Sequence, residues 1–217
     1  VADPVELVEF LDPVELVELV EFLDSVELVD PVICAMSDPT DKQEGSRRAA
    51  GPQVVLGIDP GSTTTGYAVV HALAPGRTQY VECGVLRAER RAATPDRLVE
   101  IAGSLREVID EYRPGCAAME DVFFHRNARS ALKLGQARGA LLLVVAERCL
   151  PVYSYPPAVV KKAVAGRGRA SKEQISRMVQ ALCKLSEPPE SDASDALAVA
   201  LCHSSAIWQR GLPRRRL

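Results

Sequence analysis

An acidic residue stands at every third position from Asp3 to Asp30, ten in succession, with no basic residue among them. That pattern excludes the first segment of the chain from any ordinary core. On an α-helix a step of three residues turns about 300°, so the acids drift around the whole cylinder and leave no clean apolar face. Strand alternation is equally absent. The repeated words DPVELVEFL, DPVELVELVEFL and DSVELVD mark low complexity, and ten like charges without partners repel one another. Residues 1–30 therefore read as a disordered leader, followed by a polar linker over residues 37–53. Three other readings stand beside that one. The leader can be an acidic arm that lies over a basic surface, an interaction tail, or an over-extended gene start, since Met36 offers an internal one.

Charge divides the chain at the same place. Residues 1–53 hold thirteen acids against three bases, a net −10, and the remainder holds sixteen against twenty-three, a net +7. The whole-chain value of −3 conceals this split. A basic domain is compatible with a polyanionic partner such as nucleic acid. The length of 217 residues suits one packed domain with an appendage. Six cysteines (Cys34, Cys83, Cys116, Cys149, Cys183 and Cys202) form no C-x-x-C pair and no zinc-like spacing, so they read as reduced thiols. The apolar run 140–146 is too short to span a bilayer. The N-terminus is acidic where a secretory signal needs positive charge. The expected location is the cytoplasm.

From residue 54 onward the patterns become regular. VVLGID (54–59) is an apolar run ending in an acid, followed by the turn signal PGS. Residues 66–71 and 80–86 predict two more strands around the turn Ala74-Pro75-Gly76, hence an antiparallel meander. Helical spacing at Leu98, Ile101, Leu105, Val108 and Ile109 predicts a helix over 94–112, stopped by Pro114-Gly115. Residues 116–120 form a short buried strand, again ending in an acid. A long helix follows over 126–150; its segment 140–146 is apolar on nearly all sides, as a buried or subunit-facing helix would be. A strand over 151–155 and helices over 156–164, 171–182 and 191–206 complete the domain, with a basic, solvated tail over 207–217. Three strands, then strand–helix–strand, then helices predict a mixed α/β sheet covered by helices.

Four carboxylates stand out in this framework. Asp59 and Glu120 end strands expected to be neighbours, and open sheets commonly place ligands at strand ends. Asp192 and Asp195 lie at i and i+3 in SDASDALAVAL, on one helix face and in the first turn, where the macrodipole favours negative charge. Taken singly, each has a plain structural reading. Asp192 or Asp195 can cap a helix, and Asp59 can close a turn. Glu120 is harder to dismiss, because a buried unpaired carboxylate is costly. Together they predict a hard divalent cation, Mg²⁺ beside phosphate, and two such ions would serve an in-line phosphoryl displacement.

Three stretches carry a family resemblance. LGIDPGSTTTGYAVV (56–70), MEDVFFHRNARSALKLGQARG (119–139) and SDASDALAVALCH (191–203) resemble the signature segments of the bacterial RuvC Holliday-junction resolvases, in that family's order and spacing. The resemblance covers residues 54–206 and none of the leader. It implies a ribonuclease-H-like fold with a mixed five-stranded sheet flanked by helices. It also implies a homodimer that cuts four-way DNA junctions by paired nicks, assisted by two Mg²⁺ ions per site. Asp59, Glu120, Asp192 and Asp195 match the family's catalytic acids; some members carry histidine where Asp192 stands. Phe123 matches an aromatic that stacks on a base at the crossover. Lys161 and Lys172, bracketing GRGRA with Arg167 and Arg169, match the DNA-backbone side. Branch-migration motors of the RuvA and RuvB type are the implied partners.

Rival readings come from other classes. GIDPGSTTTG also resembles the first phosphate loop of actin-like and sugar-kinase ATPases, but such a nucleotide-binding module needs a second lobe and a second glycine-rich loop, and neither is visible. A different ribonuclease-H-like enzyme acting on RNA, such as a pre-16S ribosomal RNA nuclease, shares the first motif without the ALKLGQARG helix. A non-enzymatic DNA-binding module would not need Asp59.

Overall fold

The computed structural model describes residues 52–121 and 128–210; the leader, Phe123 and the tail 211–217 lie outside the described residues. The elements, in chain order, are β1 (Gln53–Asp59), β2 (Thr64–Ala74), β3 (Arg77–Arg87), α1 (Thr94–Tyr112), β4 (Cys116–Glu120), α2 (Ala128–Glu147), β5 (Val152–Tyr155), α3 (Pro157–Ala165), α4 (Lys172–Cys183) and α5 (Ser191–Arg210). The five strands form one mixed sheet in the order β3-β2-β1-β4-β5. The first three are antiparallel neighbours, and β1, β4 and β5 run parallel. This is the mixed, helix-covered sheet that the sequence predicts.

Local chemistry sets the element ends. At the β2–β3 hairpin Pro75 brings its fixed φ and Gly76 sits at φ +68°, the pairing a type II turn requires. Helix α1 stops where Arg113 turns left-handed at φ 45°, and Pro114 cannot continue it. Helix α4 opens on a capping box. The Ser171 hydroxyl accepts from the Gln174 amide, and the Gln174 side chain accepts from the Ser171 amide.

Strand parity then sorts the core into two layers. Leu56 and Ile58 of β1, with Ala117 and Met119 of β4, pack beneath α1 and α2. Val55 of β1 and Cys116 and Ala118 of β4 face the opposite layer, which α3, α4 and α5 cover. Inside that second layer His203 is fully buried, with Nδ1 2.6 Å from the Tyr155 hydroxyl and Nε2 3.3 Å from Cys116 Sγ. Burial pushes its pKa down to about 3, so the ring is neutral. A proton on Nε2 lets Tyr155 donate to Nδ1 while His203 donates to sulfur.

Two helices differ from expectation. Helix α5 runs to Arg210 rather than to residue 206, because Ile207 is buried in the core and extends the apolar face by a turn. In α2 the apolar segment is not uniformly buried. Leu141, Val144 and Val145 enter the core, Leu142 is half-buried against it, and Leu143 is 59% exposed.

Helix α5 can approach the sheet only where side chains are missing. A Cβ on Gly57 of β1 would collide with the Ala196 carbonyl oxygen and lie 2.8 Å from Ala200 Cβ. A Cβ on Gly66 of β2 would collide with the Asp192 carbonyl oxygen. Gly103 on α1, by contrast, has open space around it. Gly57→Ala should therefore cost about 1–3 kcal/mol of stability through overpacking, whereas Gly103→Ala should be neutral or stabilising by up to about 1 kcal/mol. Paired thermal melts of the two variants test this, and equal effects would remove the close-approach argument.

Candidate active site

Asp59 has the parity of Val55 and Gly57, and Glu120 that of Cys116 and Ala118, so both acids emerge on the α5 side of the sheet. The β1–β4 register runs to Ile58 opposite Met119, one step short of the two acids. Asp59 also pairs across β2 with Gly66, the residue against which the Asp192 backbone rests. The strand ends and the first turn of α5 thus meet at one corner of the fold. All four sequence-predicted carboxylates are brought together there.

The crowding is visible in the proton affinities of the two strand-end acids. Burial, then Asp195, Glu120 and Asp192 in turn, raise Asp59 from 3.8 to about 7, against the opposing charge of Lys172. Burial and then Asp195 push Glu120 up, while Lys161 and Lys172 pull it down. Lys172 reaches in from the first turn of α4 and places Nζ 2.7 Å from Asp195 Oδ2. That hydrogen bond, first among its influences, raises the lysine's own pKa against partial burial. Glu120, Asp195, Lys161 and Lys172 line a cleft of about 230 Å³ floored by Val160, Ile175 and Ala198. A larger cleft of about 380 Å³ lies by Pro114, before the start of β4, at the other end of that strand from Glu120. Its Asp110 and Arg148 are already paired at 2.6 Å.

Among the described residues no group of three or more carboxylate, imidazole or thiol side chains is arranged to hold a metal ion. The donor chemistry nonetheless fits a hard divalent cation: oxygen donors only, crowded enough to raise the proton affinity of Asp59 and Glu120. An ammonium is already drawn into the cluster. Arg167 and Arg169 stand exposed on the turn between α3 and α4, outside the residues that line the cleft. Phe123 lies outside the described residues.

Residues 55–203 match the family described as crossover junction endodeoxyribonuclease RuvC. The chain belongs to that family. It is 51% identical to the RuvC of Halorhodospira halophila over 150 residues, which span 69% of this chain and 89% of that protein. Among solved structures it resembles Thermus thermophilus RuvC in complex with a Holliday junction substrate, with a TM-score of 0.68 and 37% identity, covering 76% of this chain and 99% of that one. The yeast mitochondrial Holliday junction resolvase Ydc2 shares the fold, with a TM-score of 0.51 and 12% identity over 76% of this chain and 89% of that one. RuvC nucleases depend on divalent metals. The match covers the domain with its family's endonuclease and displaces the nucleotide-binding reading.

Two residues that sequence patterns did not single out support this corner. Arg97 donates from Nε to the Ser62 carbonyl at 3.0 Å, from Nη1 to the Ala92 carbonyl at 2.8 Å and from Nη2 to Thr94 Oγ1 at 3.2 Å. It ties the turn after Asp59 to the start of α1. A signal was available: a cation in the first turn of a helix opposes the macrodipole and needs a local reason. Arg138, in the ALKLGQARG stretch, donates to Ser154 Oγ at 2.7 Å and stands 3.5 Å from Asp121, the neighbour of Glu120.

The raised Asp59 makes the metal-free protein pH-sensitive. A carboxyl that holds its proton more tightly when folded destabilises the fold as pH rises through the window from 3.8 to about 7. Asp59→Asn should therefore stabilise the chelated protein by on the order of 2–4 kcal/mol above about pH 8, and by little below about pH 4. Denaturant unfolding in EDTA at both pH values checks this. A gain of equal size at both would assign the effect to something other than the charge.

Proposed function

We propose that this chain resolves four-way DNA junctions by paired, symmetric nicks, through hydrolysis of one phosphodiester per active site. The observation that carries the reading is Asp59, held at a strand end and pushed to a pKa of about 7 by burial and three neighbouring carboxylates. Asp59, Glu120, Asp192 and Asp195 would hold Mg²⁺, two ions per site. Such ions, when bound, would supply the Lewis-acid chemistry of an in-line phosphoryl displacement. The protein's own groups orient and exclude. Lys161 and Lys172 on the cleft rim, with Arg167 and Arg169 beyond it, would receive backbone phosphates. Phe123 would stack on an unpaired base at the crossover, worth about 1–3 kcal/mol. Supporting partners would be branch-migration motors of the RuvA and RuvB type, in the cytoplasm. No described helix is long and apolar enough to cross a membrane. The working unit would be the domain from residue 54 to the end of α5 at Arg210, with the leader 1–53 outside it.

Cleavage assays test the site. Asp59→Asn, Glu120→Gln and Asp195→Asn should each abolish cutting while leaving junction binding close to wild type, because these groups hold cations rather than phosphates. Ca²⁺ should support binding better than cutting, being larger and geometrically looser. Full cutting by Asp59→Asn in Mg²⁺ would sink the mechanism. Mobile junction, linear duplex and structured RNA offered side by side decide the substrate. Preference for duplex or RNA would overturn the resolvase reading and keep the nuclease.

A junction of two-fold symmetry calls for two equivalent sites, hence a homodimer. Helix α2 supports it with an exposed row along one face: Leu132 at 64% and Leu143 at 59% exposed, and between them Gly135 and Gly139 with open space around both. Leu142 is a poorer probe because it leans on the core. Leu143→Glu should yield folded monomers by light scattering with native circular dichroism, and paired cutting should disappear first. A dimer of unchanged stability would place the interface elsewhere.

A further inference from the structure

Lys172 is the only lysine or arginine among the described residues with an ion pair to one of the four acids, and its place in the fold suggests more than a phosphate contact. The capping box of Ser171 and Gln174 anchors its backbone as the first residue of α4. A cation there opposes the helix macrodipole, so the position is sustained by what lies across from it. Across from it are Asp195 at 2.7 Å and, farther off, Asp59 and Asp192. Glu120 and Lys161 share the same cleft. The lysine side chain is 59% exposed while Asp195 is 29% exposed, so the ammonium is hinged at the cleft mouth over a more enclosed carboxylate.

We propose that the Lys172 ammonium is the resident counter-ion of the carboxylate cluster, that a divalent cation must displace it from Asp195, and that metal and DNA phosphate therefore bind cooperatively through this one side chain. The inference rests on the carboxylates' being the metal site. An oxygen of Asp195 that accepts from an ammonium at 2.7 Å offers less to a metal, and two cations in one pocket repel. Once displaced, the exposed lysine is free to meet a phosphate at the cleft mouth. A phosphate that arrives first draws the lysine away and leaves Asp195 open. Each ligand thus lowers the cost of the other, and linkage requires the effect to be reciprocal.

Mn²⁺ binding to the DNA-free protein, followed by electron paramagnetic resonance, tests the competition without relying on turnover. Lys172→Gln should bind Mn²⁺ about 5–10-fold more tightly than wild type, within the usual range of coupling between sites. Lys172→Arg keeps the charge and should stay near wild type, and Lys161→Gln should change affinity less than Lys172→Gln. The reciprocal arm measures junction binding against salt. Adding Ca²⁺ should steepen the slope of log K on log salt by about one phosphate contact in wild type and leave Lys172→Gln unchanged. If Lys172→Gln binds Mn²⁺ no better than wild type while Asp59→Asn abolishes binding, the displacement is wrong and the metal site stands. If Asp59→Asn leaves Mn²⁺ binding intact, the metal site itself is misplaced and both readings fall.

Discussion

The contact on which the site depends is backbone against backbone: helix α5 resting on β1 and β2 at Gly57 and Gly66, where no Cβ intervenes. Most of the helix's inward surface is small or aliphatic (Ala193, Ala196, Leu197, Ala200), and these side chains are buried. A larger side chain at either glycine would lift the first turn of α5 off the sheet. Asp192 and Asp195 would rise with it, away from Asp59 and Glu120. The small residues serve geometry as much as packing.

Bringing four carboxylates to one corner works against stability, and the surrounding structure offsets the repulsion in separable ways. Lys172 places a positive charge directly on Asp195, and Lys161 acts on Glu120 from α3. Arg97 holds the turn that follows Asp59 through three hydrogen bonds, and Arg138 bridges β5 to the residue after Glu120. Strain concentrated at a functional corner and balanced by its supports is the usual compromise between stability and activity. The same layer also shows the contrasting solution. There a neutral His203 between Tyr155 and Cys116 is buried with both ring nitrogens partnered and no net charge.

Helix α2 shows how one element can serve two surfaces. Leu141, Val144 and Val145 complete the core beneath the sheet, while Leu132 and Leu143 face outward on the same helix. A single-chain core explains the first set and not the second. Two exposed leucines separated by glycines form the kind of smooth apolar surface that close helix approach exploits, and Arg138 on this helix reaches the strand end beside the active corner. Association on this face would therefore be mechanically adjacent to the chemistry.

Much of this was determined by the sequence alone. Apolar runs ending in Asp59 and Glu120, the period of α1 and the i, i+3 spacing of Asp192 and Asp195 are local patterns. Local patterns report local conformation because side-chain direction repeats with the backbone. Which face the two strand acids share, by contrast, follows from parity only once the register of β1 on β4 is fixed in the fold. Only the tertiary structure decided the rest. That Lys172 pairs with Asp195, that Arg97 reaches Ser62, that Leu143 is exposed while Leu142 leans on the core, and that α5 extends to Arg210 all depend on where distant segments come to lie. Such contacts join residues far apart in the chain through register and close packing, and no periodicity along the sequence encodes the distance between two side chains that meet across a fold.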